Sequence, residues 1–254
     1  MSKPTVLVTG GATRIGAAIA RRFAEAGWHT IIHHSSSSDE AQKLIETLPS
    51  AEIVQCDFLD EGEATKMIAG LAAKHSDWRV LINSAAIFAP DEATALDPQT
   101  FDRAMKINAK APAQIAQAFL ASAQSQTGRT VINLTDMKIE NPNPDFFSYT
   151  MSKHALASTI EMLAMGAAGA KDRVYGIAPG AILASHDQTD AETEISHRLN
   201  LLARKTGTDE IADTALFLSQ GYLRSGSTVF VDSGQHLLSQ PRDVIYLARD
   251  LSRP

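Results

Sequence analysis

One cysteine in 254 residues, Cys56, is too few for an intramolecular disulfide or a cysteine-rich metal site, and this usage fits a reducing compartment. Cys56 itself reads as a small buried thiol at a strand end. Long apolar runs are missing too. None approaches the roughly 20 residues of a membrane span, and the stretch at residues 5–8 is too brief for a signal-peptide core, so we expect a cytoplasmic protein. Positive charge is in deficit: 23 Lys and Arg stand against 29 Asp and Glu, a net charge of -6, with no Lys/Arg run. That argues against a nucleic-acid tract or an anionic-membrane anchor and leaves a small molecule as the expected partner. There is no internal repeat and no Pro- or Gly-rich linker; the one biased tract is the four serines at 35–38. Residues 1–254 therefore read as a single domain, with 44% hydrophobic content sufficient for a large core.

What the chain does contain is an alternation. Residues 5–9 form a β-branched apolar run, and residues 15–26 place Ile19 and Phe23 on one helical face. Strand-like runs recur at 30–33, 52–54, 80–82, 130–134, 173–178 and 228–231, with helical stretches at 40–48, 61–75, 98–124 and 148–168. Continuous apolar strands separated by helices imply an α/β fold, a Rossmann-like doubly wound parallel sheet of about seven strands covered on both faces. Residues 181–205 break the pattern. They are polar and weakly helical, with His186, Asp187, Gln188 and Thr189 in place of a strand, and read as a substrate lid.

The first strand turns into the first helix through Thr9-Gly10-Gly11-Ala12-Thr13-Arg14-Ile15-Gly16. Such a junction is where a dinucleotide pyrophosphate docks on free helix amides, although a glycine cluster alone could be no more than a tight turn. The spacing departs from G-x-G-x-x-G and resembles the T-G-x-x-x-G-x-G loop of the short-chain dehydrogenase/reductase family, with Arg14 replacing the middle glycine. A guanidinium there can grip phosphate bidentately and reach toward a bound ring; the competing reading is an exposed first-turn arginine. After the second strand no acid is present to accept from a free ribose 2′-hydroxyl. His33, His34, Ser35, Ser36 and Ser37 follow instead, donors suited to a 2′-phosphate or a solvated turn, so NADP(H) is the expected cofactor. By the same resemblance Asp57 faces the adenine, and Asn83-Ser84-Ala85-Ala86 corresponds loosely to the family's N-N-A-G.

Tyr149-Thr150-Met151-Ser152-Lys153 is the family's Y-x-x-x-K, expected at a helix start with both side chains on one face. An ammonium near a phenol lowers the phenol pKa, and the lysine can also hold the nicotinamide ribose. Pro179-Gly180 after the next strand and Val231-Asp232-Ser233-Gly234 extend the resemblance along nearly the whole chain. Asn108 matches the family asparagine that helps hold a water chain to the lysine, or is a polar residue on the helix surface.

One position breaks the general pattern. Where the family keeps a serine that donates to a substrate carbonyl, Thr135 is followed by Asp136. A carboxylate beside a tyrosine opposes phenolate formation and cannot donate to an alkoxide, but with water and the phenol it can relay a proton to the nitrogen of a C=N bond. A structural cap is the alternative role. Arg14, Asp136 and Phe88 together resemble the pteridine reductase branch, which includes dihydromonapterin reductase and the folM-like alternative dihydrofolate reductases. In that branch the aromatic stacks on the pterin, and the glycine-loop arginine contacts phosphate and substrate. The resemblance thus implies catalytic roles for Asp136, Tyr149, Lys153 and Asn108, substrate contacts at Arg14, Phe88, Asp136 and Tyr149, and cofactor contacts at Gly10, Thr13, Arg14, Ile15, Gly16, His34, Ser35, Ser36, Asp57, Asn83, Ala85, Lys153, Pro179 and Gly180. No metal ligand is expected. The implied activity is NADPH-dependent reduction of a dihydropterin or dihydrofolate, with an NADP-dependent carbonyl or alcohol oxidoreductase and a non-catalytic NADP sensor as alternatives. The family precedent is a homotetramer, with the 98–124 and 148–168 helices at one interface. Residues 244–247 pack at another interface or over the substrate site.

Overall fold

The computed structural model describes residues 3–166, 169–185 and 187–252. His186 and the end of the helix expected over 148–168 lie outside that range. Apolar runs form β1 (Thr5–Thr9), β2 (His29–His34), β3 (Ala51–Gln55), β4 (Trp78–Asn83), β5 (Thr130–Leu134), β6 (Arg173–Pro179) and β7 (Thr228–Val231). All pair in parallel in one sheet of order β3-β2-β1-β4-β5-β6-β7. The order reverses direction between β1 and β4, and an open α/β sheet binds its ligand outside the carboxyl ends of the strands at such a point.

Alternate residues of the central strands feed two separate cores. Val6, Val8, Ile32, Val80 and Ile82 pack on one face with α1 (Arg14–Glu25) and the later α8 (Thr208–Leu218). Leu7, Ile31, Leu81 and Val131 pack on the other with α3 (Glu63–Lys74), α5 (Ala111–Ser122) and α6 (Phe147–Gly166). Both faces are buried, which is why these strands read as unbroken apolar runs rather than alternating ones. Each fully buried Leu, Ile or Val stabilises the fold by about 1.5–3 kcal/mol relative to exposure.

Beyond shifts of a few residues at element ends, the clearest differences from the sequence reading are these. The expected 98–124 helix is α4 (Pro98–Ala104), capped by Asp97 accepting from Thr100 N–H at 2.9 Å, then a π-helical turn at Met105–Lys110, then α5, which ends at Ser122. Residues 181–205 contain a short helix, α7 (Asp190–Ser196), held by a capping box between Thr189 and Glu192. Helix α8 was not anticipated, because its apolar face is short and meets α1 only in the folded chain. The remaining helices are α2 (Ser38–Ile45) and α9 (Val244–Leu251). Among the described residues no helix is long and apolar enough to cross a membrane.

Candidate active site

The carboxyl ends of the strands open into a cavity of about 700 Å³. One arm runs from the loop after β1 to the end of β2. Gly10 has φ +62°, and a Cβ there would lie 2.9 Å from Ala85 Cα; on Gly16 it would meet Gly10 O at 2.2 Å. Only glycine fits either place, and this brings the backbone and the α1 amino end to the cavity wall. The threonine that ends β1 ties the loop to the end of β4: Thr9 Oγ1 accepts from Ser84 N–H at 3.0 Å and Ala85 N–H at 3.1 Å.

His33 supports the same loop from below. Gly10 N–H donates to His33 Nδ1 at 3.2 Å, so the ring proton is on Nε2, which donates to Cys56 O at 3.0 Å. The imidazole stacks on Phe58 with centroids 4.4 Å apart, and burial pulls its pKa down to about 4. Cys56 is buried just beyond β3, where burial raises its thiol to about 11, so it is no nucleophile. Beside it His34, Ser35, Ser36, Ser37 and Asp57 line the cavity. The buried Nδ1 of His34 lacks a protein partner among the described residues. The glycine cradle, the free α1 amino end, the unpartnered imidazole nitrogen and the absence of a carboxylate at the end of β2 together fit a phosphorylated dinucleotide.

The second arm is built on β5 and α6. Tyr149 and Lys153 are one turn apart near the start of α6 and both are buried. Tyr149 Oη donates to Asp136 Oδ2 at 2.8 Å, and Lys153 Nζ donates to Leu134 O at 2.7 Å. Asp136 also caps the 3-10 turn Met137–Ile139, its Oδ1 accepting from Lys138 N–H at 2.9 Å. Cap and phenol partner are therefore two oxygens of one carboxylate. The expectation of a lowered phenol pKa is corrected: burial first, then the Asp136 charge and hydrogen bond, push Tyr149 well above its ordinary value. Burial brings Lys153 down to about 8, opposed by Asp136.

Phe88 forms an aromatic wall with Phe146, centroids 4.0 Å apart, and meets Tyr149 edge-on at 4.7 Å. It is 38% exposed, which rules out the core-phenylalanine reading. Arg14 and Phe146 are both non-glycine residues with φ +53°, backbone outliers of the kind that cluster at functional sites. The Arg14 guanidinium donates to Ala184 O at 3.1 Å through both Nη atoms, joining the cofactor loop to the segment after β6.

Of the residues singled out in the sequence, Gly10, Thr13, Arg14, Ile15, Gly16, His34, Ser35, Ser36, Asp57, Ala85, Phe88, Asp136, Tyr149, Lys153, Pro179 and Gly180 line this cavity. Asn83 and Asn108 are set back from it. Asn83 Nδ2 donates to Asn133 Oδ1 at 2.8 Å and to Pro112 O, inside the sheet, because Asn83 and Asn133 are register partners on β4 and β5. Asn108 lies in the π-helical turn. Its amide bonds Ile87 N–H and Ile87 O at 2.8 and 2.9 Å and donates to Ser152 Oγ, which donates in turn to Tyr149 O. It holds the exit of β4, next to Phe88, against α6. Residues that sequence reasoning missed are Lys138 and Asp243. Lys138 is buried, forms an ion pair with Asp243 and points its ammonium at Phe146, 5.0 Å from the ring centroid. Asp243, Val244 and Ile245 line the cavity, so the C-terminal segment packs over the site. A lone Lys and Asp separated by more than 100 residues carry no motif, and only their shared burial marks them.

The family model described as "Enoyl-(Acyl carrier protein) reductase" matches residues 10–236. "Short-chain dehydrogenase reductase 5" of Arabidopsis thaliana is 30% identical over 246 residues, 91% of each chain. The chain belongs to the short-chain dehydrogenase/reductase family, and it is an oxidoreductase of that family. Among solved structures it is similar to the FolM alternative dihydrofolate reductase 1 of Brucella canis complexed with NADP. That likeness has 32% identity and a TM-score of 0.87, and covers 94% of this chain and 96% of that one. It is also similar to the angucycline C-6 ketoreductase LanV with bound NADP, at 25% identity and a TM-score of 0.83, covering 92% and 96%.

Proposed function

We propose that this chain is an NADPH-dependent reductase of a pterin- or folate-type substrate, acting in the cytoplasm. The observation that carries the reading is the 2.8 Å hydrogen bond from Tyr149 to Asp136, at the position where the family ordinarily keeps a serine. Likeness to the Brucella FolM reductase supports it.

The glycine loop, with Thr13 and Ile15, would take the pyrophosphate; Arg14, His34, Ser35 and Ser36 would take the 2′-phosphate; Asp57, Ala85, Pro179 and Gly180 would flank the remainder. When bound, NADPH supplies the hydride. Phe88, stacked on Phe146 and braced through Asn108, would be the platform for a flat ring, and Arg14, whose guanidinium bonds Ala184 O after β6, would contact both ligands. Tyr149 keeps its proton at neutral pH because of burial and the adjacent carboxylate. Asp136, half-buried on the cavity wall, is then the carboxylate that links the phenol to water. The Tyr149 hydroxyl would give its proton to the substrate nitrogen and be resupplied from water by way of the Asp136 carboxyl it touches. Lys153, charged below about pH 8, holds the end of β5 through Leu134 O and is placed for a ribose contact. Residues 181–205 act as the lid, through Leu183, Ser185, Gln188, Ser196 and His197 on the cavity wall. A homotetramer is part of this reading; the exposed Met151 and Met162 on α6 suit its interface.

NADPH oxidation measured across dihydropterins, dihydrofolate, ketones and sugars tests the assignment. Reduction of the first two classes is expected. Efficient reduction of simple ketones with no activity on dihydropterins or dihydrofolate overturns it and moves the chain to the carbonyl-reductase reading, which the LanV likeness favours.

A further inference from the structure

At the end of the sheet opposite the cavity, three side chains from separate elements meet. His29 opens β2, Glu52 is the second residue of β3, and His75 closes α3. His75 Nε2 lies 2.6 Å from Glu52 Oε1, and His29 Nε2 lies 3.8 Å from the same oxygen. The two imidazoles stack with centroids 5.3 Å apart and planes inclined by 28°, so their ring nitrogens reach the carboxylate side by side. One donor atom from each residue lies within 4.8 Å of the other two. His29 Nδ1 is 2.9 Å from Ser50 Oγ; a proton on Nδ1 donated to that hydroxyl leaves the Nε2 lone pair facing Glu52.

We propose that His29, Glu52 and His75 bind a first-row divalent cation, Zn2+ being the best match to two imidazole nitrogens and one carboxylate oxygen. Ligand bonds of 2.0–2.2 Å in a tetrahedral shell put donor atoms about 3.3–3.6 Å apart, a range that lies between the two nitrogen–oxygen distances of 2.6 and 3.8 Å seen here. The three side chains are 11–22% exposed, leaving an open side where water completes the coordination. Ser50 is the outer partner that fixes the His29 tautomer. Lys74 pairs with Glu52 Oε2 and competes with the cation for the carboxylate, but at 62% exposure its ammonium swings into solvent readily. A bound ion cross-links β2, β3 and the end of α3, stabilising the first half of the sheet without touching the cavity.

The probe is Co2+, titrated into the full-length protein while visible d–d absorption and the thermal midpoint are followed. One equivalent is expected to bind, to be displaced by Zn2+ and to raise the midpoint. His75→Ala and Glu52→Gln should each abolish both effects. Ser50→Ala should weaken binding on the order of tenfold through the lost outer partner, and Lys74→Ala should tighten it. Turnover should be unchanged in the Ser50 and Lys74 variants, since the cavity lies at the other end of the sheet. Absence of Co2+ binding to the wild type overturns the proposal, as does binding that His75→Ala and Glu52→Gln leave intact. If those two variants do not fold, unchanged Co2+ affinity in both Ser50→Ala and Lys74→Ala overturns it equally.

Discussion

Acidification should loosen the cofactor loop through one buried ring. His33 is 2% exposed and bonded at both nitrogens, with Nδ1 as acceptor from Gly10 N–H and Nε2 as donor to Cys56 O. Protonation would set two N–H groups against each other at Gly10. The pKa is accordingly lowered from 6.5 to about 4, first by burial, then opposed by the Cys56 bond and reinforced by His34. Between those values the unfolded chain binds a proton that the folded chain refuses, so stability falls as pH drops through 6.5 and the loss saturates near 4. At pH 5 the two titrations differ by about 2 kcal/mol, of which only a few tenths are already present at pH 7. Denaturant unfolding of the wild type and of His33→Gln at pH 7 and pH 5 isolates this ring, because the half-buried His29 and the buried His197 cancel in the comparison. The variant should be less stable at pH 7 yet lose about 2 kcal/mol less on acidification. NADPH affinity should weaken over the same range in the wild type alone. Equal pH slopes in the two proteins, or a ring resonance of His33 titrating near 6.5, would refute the reasoning.

Tyr149→Phe should abolish most turnover and leave NADPH affinity nearly intact, measured by steady-state kinetics beside a fluorescence titration, since the proposed mechanism uses the phenol in proton relay and not in phosphate binding. Asp136→Ser should lower kcat for a dihydropterin more than it raises KM, because a hydroxyl restores the hydrogen bond to Tyr149 but not a carboxyl able to pass a proton on. Burial places Lys153 near 8, so kcat/KM should fall as pH rises through about 8, and Lys153→Arg, which stays charged, should lack that limb. Arg14→Ala should weaken NADPH more than NADH, and equal losses in paired titrations would remove the guanidinium from the 2′-phosphate.

The fold was legible in the chain because it is written in periodicity. Apolar runs such as Val6-Leu7-Val8 and Val80-Leu81-Ile82 can be buried only between two helical layers, and that condition alone selects a parallel α/β sheet. Local spacing also sufficed for Tyr149 and Lys153, since four residues of helix put them on one face whatever the rest of the chain does. Glycine positions were readable for a similar reason: the strand-to-helix turn leaves no room for a Cβ at Gly10 or Gly16. Whatever depended on distant pairing was decided by the tertiary structure. Asn83 resembles a cofactor ligand in sequence, but its register with Asn133 turns the amide into the sheet. Sequence offered a cap or a proton-handling group at Asp136; the fold gives the cap to one carboxylate oxygen and brings Tyr149 to the other. Burial above all, and then a carboxylate at hydrogen-bond distance, raise the phenol's pKa, while the ammonium expected to lower it is held against a backbone carbonyl. The pairing of Lys138 with Asp243 and the meeting of His29, Glu52 and His75 have no local signature at all. Electrostatic and ligand geometries of this kind act over a few ångströms in space, and only the packed sheet brings such residues within that range.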